Sequence, residues 1–359
     1  CTSPCGSPKM SSPYLLSLGA YSGGLIGLRI SSIDEGESRS FSSSTEFAFP
    51  LHLSSIRAVV QNETLLATGS RDETIRIFHL PNRREIGTLY GHTGSVNCLS
   101  LLHSMHLLSG SDDAKICVWS ASNESRQGKK RHDRHGDWTR WALVKELKAH
   151  RGPVTDIAVH PTGTVALSAS RDLTVKLWDL VNARVAFTTR TKEAPSRIQW
   201  ERSTSQPETD PHRFAFYTNR KVCVFDPTVE EPVMEAEVFQ TITAMNFGGI
   251  RGRIILGGEG KTVDLWSLKS KKIVRSLKGH NHRLRGIYVA PHSSENDAVI
   301  LSVDAGGGIR VWDQRYEAIP LLGIEIDEGH RITCSSFSQI ESPSSRTKKA
   351  MIASKGSNG

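Results

Sequence analysis

The sequence predicts an all-β fold, a seven-bladed β-propeller whose ring is closed by pairing of its N- and C-terminal strands. Three observations lead there. The first is a phrase that recurs as TGSRDETIRIFHL at 68–80, SGSDDAKICVWSA at 109–121 and SASRDLTVKLWDL at 168–180. Each copy reads as a strand, a tight turn carrying an acid, and an alternating apolar strand that closes on an aromatic: Phe78, Trp119 or Trp178. The second is a set of weaker copies at 14–30, 213–226, 253–268 and 298–314, which brings the count to seven. The positions closing the third strand, Leu28, Phe78, Trp119, Trp178, Phe225, Trp266 and Trp312, lie roughly 41 to 59 residues apart, a four-stranded blade plus loops. The third is length. At 359 residues the chain exceeds one ordinary core, yet no long polar linker divides it, and a ring of small sheets resolves this because each sheet buries its faces against its neighbours.

The remaining strands follow in order. EIGTLYGHTGSVNCLSL, ALVKELKAHRGPVTDIAVH and KIVRSLKGHNHRLRGIYVA each run from the outer strand of one blade, through Gly-His or Ala-His and a turn, into the innermost strand of the next. The chain opens on the inner pair of blade one, whereas LLGIEIDEGHRITCSSFS at 321–338 supplies an outer strand and then an innermost strand with no pair after it. Strand 331–337 is therefore expected beside strand 14–18, a clasp that removes exposed edges. Residues 1–12 read as a flexible N-terminal extension, 13–338 as the propeller with a basic insertion at 120–140, and 339–359 as a flexible C-terminal tail.

Composition narrows the partners. With 45 basic against 37 acidic residues the net charge is +8, a tilt toward RNA or acidic proteins. The six cysteines are scattered without a CxxC pair, which argues for a reducing compartment rather than a disulfide framework. No apolar run reaches the length of a membrane helix, and the first ten residues lack the apolar stretch of a signal peptide, so no membrane partner is expected. No GxxxxGK[ST], HExxH or GxSxG is present. His132 and His135, in HDRH, have neither a Cys partner nor a helix to fix them and read as solvated. The sequence thus offers no catalytic residue, no metal ligand set and no cofactor; it reads as a non-enzymatic protein.

Candidate contact residues come from two places. The insertion SASNESRQGKKRHDRHGDWTR places Lys129, Lys130, Arg131 and Arg134 beside Trp138, a combination suited to pairing with phosphates and stacking on an unpaired base. Arg71 and Arg171 occupy the same turn of blades two and four, on the end of the ring where the inner turns open. A short cluster, Arg346, Lys348 and Lys349, reads weakly as a basic nuclear-type signal.

Gly91-His92, Ala149-His150 and Gly279-His280, followed downstream by Trp178-Asp179 and Trp312-Asp313, resemble the WD-repeat signature. That resemblance implies a hydrogen-bonded tetrad inside a blade. Carried over, it comprises His92, Ser109, Asp113 and Trp119 in blade three, and His150, Ser168, Asp172 and Trp178 in blade four. Blade two offers His52, Thr68 and Asp72 with Phe78 in place of Trp. In blade seven Gly306 occupies the turn-acid position and Asp304 stands two residues early, while blades five and six lack both the His and the Asp.

A narrower likeness is carried by LKAHRGPVTDIAVHPTGTVALSASRDLTVKLWDLVNARVAF at 147–187, with LGAYSGGLIGLRI at 18–30, ATGSRDETIRIFHL at 67–80, and LLGIEI followed by RITC near the end. These resemble the p21-activated protein kinase-interacting protein group, WD-repeat proteins that include a yeast ribosome-assembly factor. The resemblance implies a scaffold in nucleolar assembly of the large ribosomal subunit, with ribosomal proteins and assembly factors, pre-ribosomal RNA, or both as partners and the nucleus and nucleolus as its place. It also implies a runner-up, restraint of a p21-activated kinase. A third class open to any such ring is a generic adaptor, such as a ubiquitin-ligase substrate receptor.

Overall fold

A computed structural model describes residues 9–10, 13–35, 38–102, 105–122, 140–201, 213–229, 231–248, 252–290, 299–313, 319–326 and 330–340. Those residues form seven antiparallel sheets, one per blade, with strands only. Blade two is typical: Ile56–Gln61 lies innermost, then Leu65–Ser70, Ile75–His79 and Arg84–Leu89. Blades three and four repeat it from Val96–Leu102 to Arg140–Leu147 and from Val154–Val159 to Arg184–Arg190. Blades five, six and seven run from Arg197–Trp200 to Met234–Glu237, Ile242–Phe247 to Lys272–Lys278, and Leu284–Ala290 to Leu322–Glu325.

Blade one is built from both ends of the chain, as its sequence requires. The C-terminal strand Ile332–Gln339 lies innermost and pairs antiparallel with Tyr14–Ala20, from Tyr14 opposite Gln339 to Gly19 opposite Cys334. The pairing extends past the expected 331–337 because Ile340 still donates to the Pro13 carbonyl at 2.9 Å. The hairpin Gly24–Glu35 and Ser38–Pro50 completes the sheet, and Lys9–Met10 pair with Asp34 and Ile33. Neighbouring blades lock the clasp. The Gln61 amide of blade two donates to the Leu15 carbonyl at 2.7 Å and to the Ser338 hydroxyl at 3.0 Å. From the other side Tyr288 of blade seven stacks on Phe337, which stacks on Tyr14.

Among the described residues the apolar clusters sit between successive blades. Ile75 and Ile77 of blade two pack with Leu107, Trp119 and Trp141 of blade three, and Leu301 and Val311 of blade seven pack with Leu16 and Leu28 of blade one. Burial against a neighbour, not within a sheet, is what makes closure matter. Close approach explains a recurrent glycine in the second strand. A Cβ on Gly69, Gly110 or Gly257 would stand 2.6, 2.6 or 2.3 Å from Val96, Val154 or Leu284, the residues that open the next blade's innermost strand.

A second recurrence accounts for the aromatic position that defined the repeat. The third and fourth strands slip register between Gly27 and Leu28, Ile77 and Phe78, Val118 and Trp119, Leu177 and Trp178, and Leu265 and Trp266. The irregularity therefore falls at the same repeat position in five blades. A bulge re-aims the side chain that carries it, and in blades three and four it accompanies an indole that turns back onto the second strand.

Candidate binding face

Strand direction alternates within each blade, so the turn joining strands two and three emerges at the same end as the loop entering the next blade. At that end the tetrads lie. In blade three His92 Nδ1 is 2.9 Å from Asp113 Oδ2, His92 Nε2 is 2.7 Å from Ser109 Oγ, and Trp119 Nε1 donates to Ser109 Oγ at 2.8 Å. Blade four has the same contacts at the same distances through His150, Asp172, Ser168 and Trp178. In blade two His52 bridges Asp72 and Thr68, both at 2.9 Å, and Phe78 offers no donor.

Blade seven corrects the reading of its turn. Its tetrad is complete: His280 Nδ1 lies 3.0 Å from Asp304, His280 Nε2 lies 2.7 Å from Ser302, and Trp312 Nε1 donates to Ser302 at 2.8 Å. The acid comes from the end of the second strand instead of the turn. Asp304 Oδ1 then accepts the amides of Gly306 and Gly308, both at 2.9 Å. The glycines make this possible, since a Cβ on Gly308 would meet Asp304 Oδ2 at 2.6 Å and Gly307 sits at φ 92°. Blade six shows the converse. Trp266 occupies the indole position, and its Nε1 is buried with no hydrogen-bond partner among the described residues. Blade five substitutes rings, Phe225 stacking on Phe214 at 5.4 Å and on Phe216 at 5.7 Å.

The electrostatics of a tetrad follow from its burial. For His52 and His150 desolvation outweighs the attraction of Asp72 and Asp172 and lowers the imidazole pKa, so both rings are neutral at pH 7. Burial acts against ionisation of Asp172, yet hydrogen bonds from the Thr174 hydroxyl and the Arg151 amide, with His150, hold it down at about 2. The imidazole is oriented between a carboxylate and a hydroxyl deep in a blade, with no cleft at that hydroxyl: Ser109 and Ser168 are fully buried. The geometry is bracing.

Around the tetrads the same end of the ring presents a mixed surface. Arg71 and Arg171 are exposed at equivalent turns, their backbone amides donating to the carbonyls of Ser55 and Pro153 at 3.0 and 2.9 Å. Lys148, Arg151, Lys192, Arg220, Lys261 and Arg331 are exposed on the same set of turns and loops, with Glu73, Asp112, Glu193 and Glu259 exposed among them. Interspersed are apolar side chains that no fold requirement places in water: Leu53 and Phe239 are 98% exposed and Tyr21 57%. Arg331 lies over the Tyr21 ring, 5.5 Å from its centre. Aromatic and arginine side chains are enriched where proteins dock, which makes this end of the ring the candidate face. Arg71 and Arg171 were offered by the sequence as contact residues and are exposed; Leu53, Phe239 and Tyr21 read as ordinary strand or loop residues until exposure is known. Lys129, Lys130, Arg131, Arg134 and Trp138 lie outside the described residues; their insertion joins the third strand of blade three, Ile116–Ser122, to the fourth, Arg140–Leu147.

Ring, repeat and tetrads define a WD-repeat β-propeller. A family model described as "WD domain, G-beta repeat" matches residues 43–79, 83–120 and 141–179. Each match starts on the outermost strand of one blade and ends on the third strand of the next, so the sequence repeat is offset by a strand from the structural one, and the ends must clasp. The chain is 28% identical over 319 residues to "p21-activated protein kinase-interacting protein 1-like" of Danio rerio, covering 88% of this chain and 78% of that protein. The Xenopus laevis protein of the same name is 28% identical over 330 residues, covering 91% and 82%. "Protein MAK11" of Saccharomyces cerevisiae is 31% identical over 156 residues, 39% of this chain and 34% of that protein. This chain is a WD-repeat binding protein, homologous to the p21-activated protein kinase-interacting protein 1-like group and related to the yeast protein.

Proposed function

We propose that this protein is a non-catalytic scaffold in nucleolar assembly of the large ribosomal subunit, holding ribosomal proteins or assembly factors on its tetrad-bearing face and contacting pre-ribosomal RNA through its cations. The observation that carries this reading is the pairing, on one rigid end of the ring, of fully exposed Leu53 and Phe239 with an excess of arginines and lysines over acids. The apolar side chains suit a protein partner; the cations suit a partner that is itself acidic or bound to RNA. The net charge of +8 and the likeness to a group that includes a yeast ribosome-assembly factor support the same direction. Co-sedimentation with large-subunit precursors that weakens steeply with salt is expected, together with accumulation of unprocessed large-subunit precursor RNA on depletion. Normal processing in depleted nucleoli would remove the proposal.

One observation favours a second reading, in which the face takes a p21-activated kinase: the relatives are named for interaction with that kinase. Capture of the kinase that resists salt and survives ribonuclease, without precursor association, is its signature.

A further inference from the structure

The innermost strands line the channel of the ring, and one register position there is almost uniform. Ala58, Cys98, Ala244, Gly286 and Cys334 occupy it in five blades, opposite Gly69, Gly110, Gly257, Val303 and Gly19. Blades four and five depart together, placing Asp156 opposite Ala169 and Arg197 opposite Tyr217. Asp156 has a structural duty, since its carboxylate accepts the Ile198 amide at 2.9 Å and ties the two blades. The Arg197 side chain makes no hydrogen bond or close ion pair among the described residues, and the Asp156 charge acts on it from the neighbouring blade. It is walled in by the inner strands, yet its side chain stays open to channel water.

Arg197 borders a cavity of about 200 Å³ that is also lined by Asp156, Gln199, Thr243, Asn246, Arg285 and Tyr288. The neutral lining is already committed to neighbouring blades. Gln199 donates to Asn246 at 3.0 Å, Asn246 to the Ile287 carbonyl at 2.9 Å, Thr243 bonds the Leu284 carbonyl, and Tyr288 shares a 2.9 Å bond with Ser335. The guanidinium of Arg285 is different. Its Nε is buried without a partner, and after burial itself, the charges of Arg283, Arg331 and Arg197 disfavour its protonated form. Two guanidinium groups, those of Arg197 and Arg285, line the cavity, and the charges of Arg283 and Arg331 lie near enough to act on Arg285. Asp156 faces Arg197, and Glu259 reaches Arg283 at 3.9 Å. These two carboxylates leave the group with a positive excess.

We propose that the central channel is a phosphate site, in which Arg197 and Arg285 hold a phosphate dianion, free or as a monoester, with Arg283 and Arg331 at the mouth. A positive excess suits an anion, and a guanidinium open to the channel beside a buried arginine Nε without an acceptor is what a phosphate satisfies. The cavity is smaller than the roughly 300–1,000 Å³ that encloses a drug-sized ligand, so a phosphate group fits while a larger carrier extends from the channel. Nothing in this depends on which macromolecule the surrounding face binds.

The test is thermal unfolding and titration calorimetry of the full chain with inorganic phosphate and, separately, glycerol 1-phosphate, against chloride and acetate at equal ionic strength. Phosphate at about 10 mM is expected to raise the melting temperature by about 2–4 °C over chloride. Arg197→Gln and Arg285→Gln are each expected to weaken binding about tenfold or more, while melting in chloride no lower than the parent because like-charge repulsion is relieved. An Arg71→Gln, Arg171→Gln control keeps the response. Binding of inorganic phosphate alone assigns the site to the free anion, and binding of both probes assigns it to a monoester group. No response of the parent, or an equal response in the two channel variants, overturns the proposal.

Discussion

Blades four and six are built from the same four strands and hold a tryptophan at the same bulge, yet they are braced differently. In blade four Trp178, Ser168, His150 and Asp172 close a hydrogen-bonded chain from the third strand to the loop of the preceding connection. In blade six the indole of Trp266 has no such partner, and Gly258 and Gly260 stand where blade four has Ser170 and Asp172. Apolar contact with the next blade suffices to place a blade in the ring. The polar chain adds rigidity at one end of it, and that end presents the arginines and the exposed apolar side chains.

The largest perturbation removes the contrast altogether. Deleting 330–359 takes away strand Ile332–Gln339 and opens the ring between blades seven and two. Cooperative unfolding is expected to be lost, since two blade faces and a sheet edge are exposed at once; a truncated protein that melts at the parent temperature would sink the closure argument. Next comes the serine at the centre of a tetrad. Ser168→Ala strands the indole and one imidazole nitrogen, both buried, and is expected to cost about 2–4 kcal/mol in urea unfolding. Gly308→Ala in blade seven, which drives a methyl against Asp304, is expected to cost about 1–3 kcal/mol.

A finer comparison uses one substitution in two places. Trp178→Phe forfeits packing and a hydrogen bond, Trp266→Phe packing alone, so the first is expected to be more destabilising by about 1 kcal/mol. Equal losses would show that the tetrad bond contributes nothing net. Acid separates the blades in the same sense. The imidazole pKa of His52 and His150 is lowered in the folded state, so the unfolded chain takes up protons first and stability declines as the pH falls below about 6.5. Asp172, held at about 2, contributes stability that is complete above the ordinary carboxylate range and is lost as the pH falls from about 4 toward 2. His150→Gln is expected to flatten the upper part of that profile in urea midpoints measured from pH 7 to pH 5. Smallest for stability is Arg71→Glu with Arg171→Glu. Both side chains are exposed, so unfolding stays within about 0.5 kcal/mol while capture of a precursor particle falls; unchanged capture removes these arginines from the face.

The repeat made blades two to four and the terminal clasp legible, because turn acids and aromatic strand ends sit at fixed offsets there. Blade seven was legible only in part. Asp304 is two residues from Ser302 where Asp172 is four from Ser168, and the signal for the exchange was the run Gly306-Gly307-Gly308, which frees the space that the displaced carboxylate fills. Asp156 and Arg197 were hidden for another reason. A charge in an alternating strand reads as solvent-facing, and only the register against Ala169 and Tyr217 shows that their counterparts in other blades are small. Leu53 and Phe239 were invisible for the opposite reason, since an apolar residue in a β protein reads as core until its exposure is known.

Amide hydrogen exchange of the intact chain, read by mass spectrometry on peptides from each blade, tests the central contrast most directly. Amides of Val165–Ser170 and Thr174–Asp179 in blade four are expected to exchange about tenfold or more slowly than those of Arg253–Gly258 and Thr262–Ser267 in blade six, one hydrogen-bonded chain being the difference. Equal protection of the two blades, or faster exchange in blade four, would contradict the claim that the tetrads stiffen their end of the ring.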